Sequence, residues 1–209
     1  MYTDLRSFQQ AEIIHDCTVA FCEKYVSTFS RTTDQMTQAA RSGKQNIAEG
    51  CSVGKTDSKG EIKLLNIARG SLKELLEDYH DYLRQHGLQI WSKDDPRAQA
   101  MRQLAYRSDT TNRTDRSDKT DKSDKSDRTY RTRAYLDDPE QAANAMITLI
   151  NQTTYLLDQQ LKAVHKQREE KGLSMETHSQ RIGRIFNAER KKQKEFDQWL
   201  QQNYGPKSN

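Results

Sequence analysis

Leu65, Ala68, Leu72, Leu75, Leu76, Tyr79 and Leu83 recur at steps of three, four, three, one, three and four. Only a helix gathers such a spacing into one continuous apolar stripe, and a striped helix must bury that stripe against another element. A sheet is a poor candidate for the partner. Three prolines and nine glycines in 209 residues argue against a turn-rich β protein, and 33% hydrophobic against 31% charged residues suits a thin helical core. The expected partners are other helices.

The preceding run, 32–51, has the stripe Met36, Ala39, Ala40, Gly43, Ile47 and Cys51. Its middle is made of small residues, which lets a second helix approach closely even though Gly costs about 1 kcal/mol against Ala in a helix interior. A polar row, Ser42, Asn46 and Glu49, lies about 100° from the apolar centre; it is either solvated or turned toward a neighbouring helix. On the next helix Ile67 and Gly70 fall outside the leucine stripe, with Ser71 beside them. An isoleucine and a glycine so placed point to a second contact surface, such as another subunit. Ser42, Gly43, Asn46, Glu49, Ile67, Gly70 and Ser71 are thus the expected helix-packing or oligomer interface.

Four helices are expected, at 10–29, 32–52, 58–86 and 139–170. The first carries Ile13, Cys17, Ala20, Phe21, Lys24, Tyr25 and Thr28 on one side. Thr32 with Gln35, and Ser58 with Glu61, resemble capping boxes; Gly87 is a natural stop. Asp138 followed by Pro139 is a strong helix start, and Ala142, Met146, Leu149, Ile150, Thr153, Leu156, Leu157, Leu161 and Val164 follow at helical spacing. Between the third and fourth helices, 107–133 is a near-repeat of Ser/Thr-Asp-Lys/Arg triplets, too poor in apolar residues to offset the ordering of its backbone; a disordered or loosely structured insert is expected. A four-helix domain over 1–172 is then followed by a basic helical extension, 173–209.

Catalytic motifs fail on inspection. Residues 50–56 imitate a phosphate-binding loop, with three residues between the glycines where four are needed and a helix where a strand should precede. Two Glu-x-x-His pairs, Glu12 with His15 and Glu77 with His80, imitate a di-iron bundle, yet the helical wheel turns both away from the apolar stripes. The second helix offers only off-stripe Glu49, and the fourth has no mid-helix Glu. No cofactor or metal is expected. Cys17, Cys22 and Cys51 are odd in number and lack Cys-x-x-Cys spacing, which suits thiols in a reducing compartment. Neither a signal-peptide pattern nor a membrane-length apolar run is found, so a cytoplasmic protein without membrane contact is expected.

Charge remains. The formal net charge is +4, which permits an anionic partner without demanding one. Arg41, Lys44 and Arg69 on the middle helices and Arg181, Arg184, Arg190, Lys191, Lys192 and Lys194 in the tail, the last near Phe196 and Trp199, are the candidates for phosphate contact.

Residues 41–50, Arg-Ser-Gly-Lys-Gln-Asn-Ile-Ala-Glu-Gly, are followed by Glu61, Leu64, Leu65 and the run 67–72, Ile-Ala-Arg-Gly-Ser-Leu, with Glu74 and Leu75. Together they resemble the 23S rRNA intervening-sequence protein family of bacterial four-helix bundles. That family includes the accessory variability determinant of diversity-generating retroelements, a pentameric bundle that binds nucleic acid and a reverse transcriptase. The resemblance spans about 11–103 and 134–164, and Trp91, Ser92, Lys93 and the tail are similar to a longer "suffix" branch. It implies a homo-oligomer, pentameric by analogy, with a reverse transcriptase as partner.

The sequence thus predicts an all-α, antiparallel up-down four-helix bundle that is no enzyme and binds RNA or DNA as a homo-oligomer. A protein–protein scaffold whose basic tail docks an acidic partner is the alternative, and a di-iron oxidoreductase a distant third.

Overall fold

The computed structural model describes residues 1–27, 30–107, 134–170, 187, 190, 191 and 193–195, with 104–107 by backbone alone. The chain divides into two compact units, Met1–Lys166 and Gln167–Asn209. Among the described residues up to 170 there are five helices: α1 (Arg6–Tyr25), α2 (Arg31–Val53), α3 (Ser58–Gln85), α4 (Pro96–Arg107) and α5 (Pro139–Glu170). Short 3-10 turns at Tyr2–Asp4 and Ala134–Asp137 precede α1 and α5. No strand occurs among the described residues, so the fold is all-helical as far as it is described. None of their helices is long and apolar enough to cross a membrane.

The leucine stripe of α3 is buried as expected: Leu65, Ala68, Leu72, Leu75, Tyr79 and Leu83 are fully enclosed, while Leu76 is only partly covered. Met36, Ala39, Ala40, Gly43, Ile47 and Gly50 are the buried face of α2, whereas Cys51, expected on it, is only partly covered. The two helices form an antiparallel hairpin, with Ser42 beside Ser71, Gly43 against Leu72 and Gly50 against Leu64. Its turn is capped by Asp57, which accepts from Lys59 N at 2.9 Å, and α2 opens on Ser30, whose hydroxyl accepts from Thr32 N at 3.2 Å. Both caps lie upstream of the residues expected from the capping-box pattern, because the accepting oxygen belongs to the residue just outside the helix.

α3 ends in a Schellman motif. Leu88 N donates to Leu83 O and Gly87 N to Arg84 O, while Gly87 takes φ +66°, a conformation that favours glycine. The chain then runs over α5, where Asn144 receives it. The Asn144 amide donates to Gln89 O and Glu140 O at 2.8 Å each, and its Oδ1 accepts from Trp91 N at 2.8 Å. Two backbone groups of the connecting segment, Gln89 O and Trp91 N, are thus satisfied by one buried side chain. Trp91 is covered by the Arg97 guanidinium at 4.4 Å from its ring centre, and α4 buries Ala98 and Met101. This helix was not anticipated from the sequence.

α1 begins at Arg6, four residues earlier than expected, and ends at Tyr25 rather than at 29; residues 28 and 29 lie outside the described ones. Its buried face is Phe8, Ala11, Ile13, Ile14, Cys17, Phe21 and Cys22 together with Ser7, Gln10 and Thr18, a line shifted toward Ala11 and Ile14. Ala20 and Tyr25 are partly covered and Lys24 is exposed. The polar members are paired. Thr153 Oγ1 donates to Gln10 Oε1 at 3.0 Å, Ser7 Oγ to Gln160 Oε1 at 3.1 Å, and Tyr79 OH to Thr18 Oγ1 at 3.0 Å. Against α2, Cys22 Sγ lies 3.9 Å from Met36 Sδ and His15 Nδ1 lies 3.2 Å from Lys44 Nζ. Burial pushes the Cys22 thiol up to about 12, helped by the charges of Asp78 and Glu23, so it is an inert packing group.

α5 starts where expected, with Asp138 accepting from Gln141 N at 2.8 Å. Its first half is covered on all sides: every residue from Ala142 to Ile150 is buried, including Ala143, Ala145 and Ile147, which lie off the expected stripe. Farther along, Leu156 is only partly covered, whereas Leu157, Leu161 and Val164 are core residues. In the second unit, residues 187, 190, 191 and 193–195 are helical and exposed, and Lys191 pairs with Glu195 at 3.9 Å. Of the expected triplet insert, 107–133, Arg107 is the last residue of α4 rather than part of a loop, and 108–133 lie outside the described residues.

Candidate nucleic-acid interface

Charge is distributed unevenly along the α2–α3 hairpin. From Lys44 round the turn to Lys73 the chain has six Lys or Arg against three carboxylates; from Glu74 to His86 it has four carboxylates against one arginine. The hairpin is therefore cationic at its turn and acidic at its open end. Lys55, Lys59, Lys63 and Lys73 are exposed and Lys44 and Arg69 half-buried. The three lysines around the turn were not singled out from the sequence, although a charge tally along the two helices would have revealed them.

The predicted cations have different fates. Arg41 is exposed on a groove of about 1030 Å3 along α2, whose lining also holds Arg31, Asp34, Glu74 and Asp78. Two arginines and three carboxylates share that lining, which lowers the local potential available to a phosphate. Lys44 leans on His15. Arg69 Nη1 donates to Asp158 Oδ1 of α5 at 2.6 Å, a pair with side chains 36% and 43% exposed, so Arg69 must leave a carboxylate to reach a phosphate. In the tail Arg190, Lys191 and Lys194 are exposed on helical residues, while Arg181, Arg184 and Lys192 lie outside the described residues.

The expected interface residues separate into two groups. Ser42 and Ser71 share a hydrogen bond of 3.0 Å between α2 and α3, and Asn46 Nδ2 donates to Ser42 O at 2.9 Å and to its Oγ at 3.2 Å. Gly43 is buried beside them; these residues pack the hairpin itself. Glu49, Ile67 and Gly70 face outward. Ile67 is 43% exposed, and a β-carbon on Gly70 would meet nothing within 4 Å.

His15 lies against Asp16 and Lys44, and His80 Nε2 is buried without a hydrogen-bond partner. Among the described residues no group of three or more His, Cys, Asp or Glu is placed to hold a metal ion. Asp78, between the groove and the acidic end, has its carboxyl pushed above the usual range by burial first and then by the charges of Asp81 and Glu74.

Comparison with protein-family models, with curated proteins and with solved structures finds no match to this chain.

Proposed function

We propose that the chain is a non-enzymatic, nucleic-acid-binding protein of the bacterial cytoplasm, in which α1, α2, α3 and α5 form an antiparallel up-down four-helix bundle that assembles into a homo-oligomer. The paired residues of α1 with α2, of α2 with α3 and of α1 with α5 support that topology, since in each pair the later residues of one helix meet the earlier residues of the other. The observation that carries the function is the cationic turn half of the hairpin, with Lys55, Lys59, Lys63 and Lys73 exposed. Repeated around a symmetry axis, each modest patch adds to one larger field. RNA is the foremost ligand, and the resemblance of 41–50 and 67–72 to the intervening-sequence protein family makes a reverse transcriptase the natural partner and a pentamer the natural assembly.

Fluorescence anisotropy with labelled RNA and single-stranded DNA at several salt concentrations tests this reading. Removing one cation that neutralises a phosphate should flatten the slope of log affinity against log salt by about 0.7–0.9. Lys59→Ala with Lys63→Ala measures the hairpin's share; removal of 171–209 measures the tail's. No binding by the intact chain would end the proposal.

A second reading, a protein–protein scaffold whose basic tail docks an acidic partner, is favoured by the balanced charge around Arg41 and by the pairing of Arg69 with Asp158. Salt-insensitive affinity for an acidic protein, with none for oligonucleotides, would decide for it.

A further inference from the structure

At the acidic end of the hairpin a cavity of about 380 Å3 opens where α1 ends, α2 begins and α3 finishes. Its lining includes three aromatic rings, Tyr25, Tyr82 and His86, and two carboxylates, Asp78 and Asp81. The rings are already fixed. Tyr82 and His86 stack with centroids 4.1 Å apart at 25°, Phe21 packs edge-on to Tyr82 at 4.9 Å, and the Tyr25 hydroxyl donates to Leu136 O at 2.7 Å.

The two carboxylates differ. Asp81 is occupied by Arg84, whose Nη2 and Nε lie 2.7 and 3.3 Å from its Oδ1. Asp78 has neither a hydrogen-bond nor an ion-pair partner among the described residues. Burial, Asp81 and Glu74 all disfavour its charge, and an entering cation would relieve that strain. Aromatic faces attract cations through the negative face of the ring quadrupole. An anion would face the surplus of carboxylates, and a neutral apolar ligand would bury Asp78 further without a partner. For a small inorganic divalent ion, which draws several oxygen ligands together at short range, no group of three or more His, Cys, Asp or Glu is suitably placed among the described residues.

We propose that this cavity binds an organic cation, a guanidinium or primary ammonium group, with Asp78 as its counter-charge and Tyr25, Tyr82 and His86 as its walls. Its volume lies toward the small end of ligand pockets, roughly 300–1,000 Å3, which suits one arginine or lysine side chain or a free amine of that size. The site is independent of the nucleic-acid reading, because it lies on the part of the hairpin that would repel phosphate.

Titration of the isotope-labelled full-length protein followed by NMR tests it, with L-arginine amide in one arm and the peptide Gly-Gly-Arg-Gly-Gly in the other. Saturable shifts are expected at Tyr25, Tyr82 and His86. Asp78→Asn should weaken binding by about tenfold or more, the loss of a charge-assisted hydrogen bond, with the remaining amide spectrum unchanged. Glu12→Gln, on α1 well before Tyr25 and absent from the cavity's lining, should leave affinity unchanged. Binding in both arms shows that the cation alone is read; binding of the peptide alone assigns the site to a partner's side chain, and binding of the amide alone to a small molecule. Absence of saturable shifts in both arms, or undiminished binding by Asp78→Asn, would overturn the proposal.

Discussion

A β-carbon placed on Gly43 would stand 2.9 Å from Leu72 Cδ2 and 3.0 Å from its Cγ. Leu72 is fully enclosed and has little room to retreat in an interior packed like an organic crystal. Gly43→Leu should therefore destabilise the protein. Overpacking costs about 1–3 kcal/mol, against which the better helix propensity of leucine returns less than about 1 kcal/mol. Urea unfolding followed by circular dichroism measures the difference, and an unchanged midpoint would mean that α2 and α3 separate without cost.

The outer face of α3 should respond in the opposite way. Gly70 is exposed with open space around it, so Gly70→Ala should stabilise the helix by about 1 kcal/mol through propensity alone. Ile67→Glu should leave the unfolding midpoint of the subunit nearly unchanged while breaking up the proposed assembly in sedimentation velocity. An assembly of unaltered size would remove this face from the subunit interface.

Arg69 and Asp158 are both more than a third exposed, and such pairs contribute at most about 1 kcal/mol. Asp158→Asn is expected to change stability little but to free the guanidinium for phosphate. Oligonucleotide affinity should rise and its salt slope steepen by about 0.7–0.9, the share of a single phosphate. A slope equal to that of the unaltered protein would exclude Arg69 from the binding surface.

Asp78 links stability to pH. Its carboxyl holds a proton more tightly in the folded chain than at its ordinary value of 3.8, so the native state binds more protons and stability falls as pH rises through the folded value. Asp78→Asn removes that penalty. The variant should melt higher than the parent at pH 7, with the gap closing as pH is lowered toward 3.8; a gap independent of pH would assign the effect to packing rather than charge.

The stripes of α2 and α3 could be read from the sequence because a 3.6-residue period is a property of the backbone itself. The start of α1 could not. Gln10 and Ser7 look like surface residues until Thr153 and Gln160, 143 and 153 positions away, supply their partners. α4 escaped for a related reason: its buried set, Ala98 and Met101, is too small to announce a period. At the candidate interface the charges of Arg41 and Arg69 were legible, but not the carboxylates that the fold brings beside them, Glu74 and Asp78 for the first and Asp158 for the second. The acidic end of α3 was legible as composition, whereas its cavity depends on how Tyr25 of α1 meets Tyr82 and His86.

The unbroken burial of α5 from Ala142 to Ile150 bears on how the molecule breathes. Segments with every side enclosed exchange their amide hydrogens only through the largest openings, so the amides of 142–150 are expected to exchange at the rate of global unfolding, although only Pro139, Glu140 and Gln141 stand between them and the Asp138 cap.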